Sequence, residues 1–256
     1  CMGLLCIDEK AFSPKALLGI ISSAKDQMLT PAELVEQSRD NYPAQVAGQV
    51  FQLYQKRLKD SGAVDFDDII LLTVRLFQQF PEVLDKYRRR YRYIMVDEYQ
   101  DTNHAQYLLV SLLAGGHKNI CVVGDDDQSI YKFRGATIEN IMSFESQFSG
   151  AKVIRLEQNY RCTGKILEAA NHIISHNLQR KGKTLWTKNP TGENVQFYKG
   201  VDEGQEAAFI AGVIRDDAKG GMPYRDHAIL YRMNAQSRTI EQTLVRFGIP
   251  YRIIGG

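Results

Sequence analysis

From the N-terminus to about Arg92 the apolar positions recur at helical spacing, and beyond it the period changes. Thr30-Pro31-Ala32-Glu33 is a capping box with proline at the first helical position, which predicts a helix start, and Pro43 to about Asp60 carries a second helical pattern. Asp65 can cap a helix over Phe66 to Phe80. Pro81 starts another, ending in the basic run Lys86-Tyr87-Arg88-Arg89-Arg90-Tyr91-Arg92. Tyr93-Ile94-Met95-Val96 and Asn119-Ile120-Cys121-Val122-Val123 are short, continuous apolar runs with a helix-like segment, Asn103 to Ala114, between them. Such runs predict buried parallel strands in a βαβ unit. A helix is expected over Thr137 to Phe148. Strands at Val153 to Leu156, Val195 to Tyr198, Ala228 to Tyr231 and Tyr251 to Ile254 then alternate with helices at Thr163 to Leu178, Glu203 to Asp217 and Ala235 to Phe247. The pattern predicts two α/β units meeting near Ser149-Gly150, preceded by a helical segment.

Composition narrows the function classes only slightly. At 256 residues and 44% hydrophobic, the chain can bury a substantial core, which excludes disorder, collagen and a disulfide miniprotein. No apolar run reaches the roughly 20 residues that span a bilayer, and the N-terminus has no signal-peptide pattern, so a cytoplasmic protein without a membrane partner is expected. Cys1, Cys6, Cys121 and Cys162 form no C-x-x-C pair and read as reduced thiols, with Cys121 in the core. Lys and Arg outnumber Asp and Glu by 32 to 30, so any nucleic-acid surface must come from local clustering.

The first strand delivers Asp97 and Glu98 at its C-terminal end, where open α/β sheets bind ligands. This is a Walker B arrangement: Asp97 can hold Mg²⁺, and Glu98 can orient and deprotonate the water that attacks a γ-phosphate. Standing alone, the pair would more simply be two solvated carboxylates. It is extended by Tyr99-Gln100-Asp101-Thr102-Asn103, and the second strand ends in Gly124-Asp125-Asp126-Asp127-Gln128-Ser129-Ile130-Tyr131-Lys132-Phe133-Arg134-Gly135-Ala136.

Together these stretches resemble motifs II (D-E-x-Q-D) and III (G-D-x-D-Q-S-I-Y-x-W-R-G-A) of the superfamily 1A DNA helicases, the UvrD/Rep/PcrA group. Leu156-Glu157-Gln158-Asn159-Tyr160-Arg161 is similar to motif IV, and Tyr231-Arg232-Met233-Asn234-Ala235-Gln236-Ser237-Arg238 to motif IVa. Val64-Asp65-Phe66-Asp67-Asp68 resembles the family's D-F-D-D element, and Phe12-Ser13-Pro14-Lys15 with the following helices its 1B subdomain. The resemblance implies an α/β fold of RecA-like P-loop helicase sheets, parallel and flanked by helices, with a helical N-terminal subdomain. It divides the chain into a 1B-like segment (1–63), a 1A domain (64–149) and a 2A domain (150–256). It implies ATP and Mg²⁺ as cofactors, with Asp97 on the metal and Glu98 as general base. Gln128 would sense the γ-phosphate, Tyr160 would stack on adenine and Arg161 would be an arginine finger. Tyr131 and Phe133 would stack on bases, and Arg134 would contact DNA phosphate or brace that loop. The implied activity is a 3′ to 5′ helicase or translocase that closes two α/β domains on ATP and moves along single-stranded DNA. Its partners would be single-stranded DNA, single-strand/duplex junctions, and repair or replication proteins.

The sequence also departs from the family pattern. It holds no G-x-x-x-x-G-K-[ST] loop: Gly182-Lys183-Thr184 has Asn177 where the first glycine belongs, and Gly164-Lys165 is followed by Ile166. Motifs V and VI are not found. The chain therefore reads as an internal fragment, running from within 1B through motif IVa to Ile254-Gly255-Gly256, and is expected to be inactive by itself. Phe133 stands in the place of a tryptophan, and Asp126 makes a triple acid of Asp125-Asp126-Asp127. Two other readings use the same residues. A two-metal nuclease or polymerase would employ Asp97 with Asp125 or Asp127, leaving Gln128, Arg161 and the aromatic pair without a role. A non-catalytic module would bind single-stranded DNA without turnover. His172 and His176 have the i, i+4 spacing of zinc ligands but no third ligand nearby, and a helix surface explains them better.

Overall fold

A computed structural model describes residues 1–178 and 180–254; Gly255 and Gly256, with which the second α/β region was expected to end, lie outside the described residues. The chain forms two compact units, one of residues 1–160 with 170–188 and the other of 161–169 with 189–254.

In the first unit the opening helices follow from their caps. Ser13 accepts from the Ala16 N–H to begin α1 (Pro14–Asp26). Thr30 and Glu33 close the expected capping box of α2 (Pro31–Gln37), and Asn41 caps α3 (Tyr42–Asp60). Leu17, Ile21 and Ala24 make one stripe of α1 and bury against Val46, Ala47, Val50 and Phe51 of α3. Asp65 caps α4 (Phe66–Gln79) in a reciprocal box with Asp68, and both carboxylates then reach back to α1. Lys25, its side chain 0% exposed, lies 2.6 Å from Asp65 and 2.9 Å from Asp68. Tyr54 and Gln55 of α3 donate to the same two carboxylates at 3.0 Å each. The D-F-D-D element is thus the clasp between the opening helices and α4.

α5 (Pro81–Arg90) leads into β1 (Ile94–Val96), then α6 (His104–Ala114) and β2 (Ile120–Val122). The two strands pair in parallel with Ile94 opposite Ile120 and Val96 opposite Val122, so the βαβ reading holds. Met95 and Cys121 are also register partners, and both are exposed. Cys121 is therefore not a core residue, because it points to a sheet face that no described element covers.

The expected helix over Thr137 to Phe148 is two short ones, α7 (Glu139–Met142) and α8 (Phe144–Gln147), broken at Ser143. The Ser143 hydroxyl donates back to the Glu139 carbonyl, a local bond that competes with helix continuation. α9 (Gly164–Ile174) crosses from one unit to the other. In the second unit α10 (Glu203–Lys219) and α11 (Ser237–Arg246) bury Ala211, Ile214 and Leu244 with Ile249.

The four later strands do not form. Val153–Leu156, Val195–Tyr198, Ala228–Tyr231 and Tyr251–Ile254 carry no ladder, and the only bridge outside β1 and β2 among the described residues joins Gln158 to Trp186. Apolar β-prone residues become strands only when a neighbour takes their N–H and C=O groups, and these runs have none in place. The result is a mixed helix and strand protein with one small parallel sheet, and no helix among the described residues is long and apolar enough to cross a membrane.

Candidate nucleotide and nucleic-acid site

The C-terminal ends of β1 and β2 bring the two acidic motifs together. The ladder continues past the strands through Val123 N–H to Val96 C=O at 2.8 Å and Tyr99 N–H to Val123 C=O at 2.9 Å. Between those bonds the chain turns sharply at Glu98, whose φ of 49° and ψ of 43° are left-handed. The turn leaves Asp97 and Glu98 exposed and drives Tyr99 fully inside, edge-on to Phe144 at 5.7 Å. Burial and the neighbouring Tyr107 push the Tyr99 hydroxyl up to about 12.

Gln100, 1% exposed, is the connector. Its side-chain amide donates to Glu98 Oε2 at 2.8 Å and to Asp101 Oδ2 at 3.3 Å, while its Oε1 accepts the Asp125 N–H at 2.9 Å. Ser129 Oγ donates to the Gln100 carbonyl. The fit depends on Gly124, where a Cβ would fall 2.6 Å from Gln100 Oε1 and 2.9 Å from the Ile141 side chain.

Asp125 carries the link onward. One of its oxygens accepts from the Asp127 N–H at 3.0 Å and pairs with Lys183; the other accepts from Gln128 Nε2 at 2.7 Å. Burial raises the Asp125 carboxyl, but the bonds from Lys183 and Gln128 outweigh it and hold it below the usual carboxylate range. Burial likewise lowers the Lys183 amine, and its three aspartates outweigh that. Arg180 grips Asp127 with two bonds at 2.8 and 2.7 Å, and the Lys181 N–H donates to Asp126 at 2.7 Å. Asp126 therefore has a structural role, as anchor for the 180–183 loop. That loop is followed by irregular chain, which removes Gly182-Lys183-Thr184 as a phosphate loop.

Beyond Gln128, Tyr131 and Phe133 hold their rings 6.0 Å apart, Phe133 being 67% exposed. The Arg134 guanidinium lies 5.0 Å from the Tyr131 ring and 5.5 Å from the Phe133 ring, so it braces the pair. Gly135, at φ 83°, turns the chain against Asp26. Asp26 also accepts from Asn103 Nδ2 at 2.6 Å, and burial, with the charge of Asp67, raises its carboxyl to about 6.

The residues expected to act together are therefore partly gathered. Asp97, Glu98, Gln128, Tyr131, Phe133, Arg134 and Tyr160 belong to the first unit, whereas Arg161 belongs to the second. One Asp97 oxygen accepts the Glu98 N–H at 2.9 Å and leaves the other available. Among the described residues no three His, Cys, Asp or Glu side chains form a metal cage. A single carboxylate suits Mg²⁺, which binds through one or two carboxylates together with water and substrate phosphates. A two-metal nuclease is disfavoured, because Asp125 and Asp127 are engaged by Lys183 and Arg180. His176 Nδ1 lies 3.0 Å from the His172 carbonyl, an ordinary helix-surface arrangement. Sequence reasoning placed Gln100 and Gly124 within motifs II and III without giving either a role, weighed Lys183 only in a rejected phosphate-loop match, and did not single out Arg180. For Gln100 the available signal was its place in the D-E-x-Q-D pattern, which does not say what its amide bonds.

Comparison with known proteins agrees with this arrangement. Residues 4–149 match the UvrD/REP helicase N-terminal domain, and residues 154–256 the UvrD-like helicase C-terminal domain. The chain is 49% identical over 250 residues to the ATP-dependent DNA helicase PcrA of Staphylococcus aureus strain Mu50, and 48% identical to that of Staphylococcus epidermidis. Each match covers 98% of this chain and 34% of the relative, so the chain spans about a third of the length of the curated relatives it matches. With its two acid-bearing strand ends joined through Gln100 and both family domains matched in order, the chain belongs to the UvrD/REP helicase family.

Proposed function

We propose that this chain is part of an ATP-dependent helicase or translocase that moves 3′ to 5′ on single-stranded DNA and acts at single-strand/duplex junctions, alongside repair or replication proteins. In this reading 64–149 and 150–256 belong to two RecA-like domains and 1–63 to a helical 1B-like subdomain. The observation that carries it is the hydrogen-bonded path from Glu98 through Gln100 and Asp125 to Gln128, three residues before the aromatic pair. A change at the catalytic carboxylate is thereby felt by the loop that faces bases.

Each residue has a separable task. Glu98, its Oε2 fixed by the Gln100 amide, orients water and accepts its proton. Gln128 offers an exposed amide from a loop that Asp125 holds in place. Asp97 keeps one oxygen for Mg²⁺, which when bound neutralises phosphate charge. Tyr160 and Arg161 keep the roles the family assigns, adenine stacking and stabilisation of charge on the transferred phosphate. Tyr131 and Phe133 stack on successive bases with Arg134 bracing them.

The test measures single-stranded-DNA binding and DNA-stimulated ATP hydrolysis by this chain, with Glu98→Gln, Arg161→Ala, Tyr131→Ala and Phe133→Ala. DNA binding without turnover, weakened about 5- to 150-fold by each aromatic substitution, supports one portion of a motor. Turnover abolished by both Glu98→Gln and Arg161→Ala reveals a complete ATP site within these residues. Binding that ignores both aromatic substitutions overturns the assignment.

A further inference from the structure

The ends of β1 and β2 opposite Asp97 and Asp125 carry the densest run of positive charge in the chain. α5 finishes with Arg88, Arg89 and Arg90, and Arg92 follows before β1 begins. Arg88 is used internally, donating to the Leu112 carbonyl at 2.9 Å and lying 3.4 Å from Asp85. Lys86, Arg89, Arg90 and Arg92 are exposed, and among the described residues none pairs with a carboxylate. The turn entering β2 adds a further cation. His117 Nε2 lies 2.9 Å from the Tyr91 carbonyl, and Asn119 donates to the Arg92 carbonyl at 3.1 Å. Those bonds pin 117–119 beside 91–92, and Lys118, between them, is exposed.

A helix C-terminus favours a cation or two through its dipole. That accounts for the last turn of α5 and not for Arg92 or Lys118, which lie outside it. Nor does it account for the rings. Tyr87 and Tyr91 stack at 6.1 Å and 19°, the Arg90 guanidinium sits 5.7 Å over Tyr91, and Tyr93 is 80% exposed. Uncompensated guanidinium groups interleaved with exposed aromatic faces fit a polymer that offers both phosphates and flat bases. An acidic protein segment would need the charges alone.

We propose that this edge is a second contact for single-stranded DNA, with the five cations on phosphates and Tyr93 offered to an unpaired base. It goes beyond the function proposed above and shares with it only the polymer, because none of these residues is among Asp97, Glu98, Gln128, Tyr131, Phe133 and Arg134.

The experiment titrates fluorescein-labelled oligothymidine with the 256-residue chain by fluorescence anisotropy across a range of salt. Each single-strand phosphate contact contributes about 0.7 to the slope of log affinity against log salt, so Arg89→Gln/Arg90→Gln/Arg92→Gln should flatten it by about 2. The matching triple lysine variant should keep the slope, which separates charge from any change in folding. Tyr93→Ala should weaken oligothymidine binding several-fold at unchanged slope and leave duplex binding alone. These effects should persist in a Tyr131→Ala/Phe133→Ala background, which tests the other site separately, so either assignment can fail alone. An unchanged slope in the triple glutamine variant overturns the proposal. So does displacement of the oligonucleotide by polyglutamate at equal charge concentration, or duplex binding as tight as single-strand binding.

Discussion

Lys25→Met is the most informative perturbation of the scaffold that carries the site. Lys25 is completely enclosed, with Asp68 2% and Asp65 19% exposed at the side chain, so the two carboxylates have little water to fall back on. Removing one partner of a buried ion pair costs about 3–5 kcal/mol, because the remaining charge is left uncompensated. Methionine nearly conserves volume, which keeps any cavity contribution small. The Tyr54 hydroxyl and the Gln55 amide still donate to the two carboxylates, so the expected loss lies at the lower end, about 3 kcal/mol. For a domain of this size that is roughly 6–12 °C in melting temperature. Burial raises the Asp65 carboxyl, yet the bond and charge of Lys25, together with the bonds from the Asp68 N–H and the Tyr54 hydroxyl, outweigh it and leave the group below its ordinary value of 3.8. A depressed carboxylate contributes stability that is present above its unfolded value and lost as pH falls through its folded one. The gap between wild type and Lys25→Met, read by urea unfolding, should therefore be widest near neutrality and shrink below about pH 4. Adding Asp65→Asn and Asp68→Asn should restore most of the loss, since asparagine still caps α4 and no charge remains. A loss under about 1 kcal/mol that does not change with pH would refute the reasoning.

Gly124→Ala should cost about 1–3 kcal/mol in chemical denaturation, because its methyl group would fall 2.6 Å from the oxygen of Gln100, which is buried and held by its own hydrogen bonds, and 3.2 Å from the Tyr99 main-chain nitrogen; an unchanged midpoint sinks the packing argument. Asp26→Asn should stabilise the protein at pH 7 by about 1 kcal/mol, a value discounted for partial exposure. Its carboxyl is raised to about 6 in the fold, so wild-type stability falls as pH rises from 3.8 through that value, and thermal melts of the two proteins should converge near pH 4. Phe133→Trp should tighten single-stranded-DNA binding about fivefold, since a larger ring offers more stacking surface; fluorescence anisotropy showing no gain would mean that Phe133 does not meet a base.

Much of the scaffold can be read from local chemistry. Ser13, Thr30, Asn41 and Asp65 accept main-chain N–H groups within three residues, so helix starts are written in short words. The parallel pairing of β1 and β2 follows from two apolar runs around a helix. The later runs failed because a ladder needs a partner that propensity does not supply, and Val153–Leu156 has the composition of a strand without one. Position along the chain also hides the long-range polar contacts. Lys25 finds Asp65 forty residues on, and Arg180 finds Asp127 across fifty-three. Asp97 and Glu98 announce themselves as acids at a strand end, whereas the fixing of Glu98 by Gln100 is visible only in three dimensions.

The left-handed turn at Glu98 sets folding against chemistry at a single residue. A side chain held at positive φ costs about 1–2 kcal/mol, and asparagine or glycine bears that conformation more easily than glutamate. If Glu98 is the base, selection for turnover, with the bond from the buried Gln100 amide, keeps glutamate there against a constant pull from backbone comfort. A gene copy relieved of catalysis would drift at this codon first, and asparagine or glycine at the position would mark a helicase domain that had kept its fold and retired its motor.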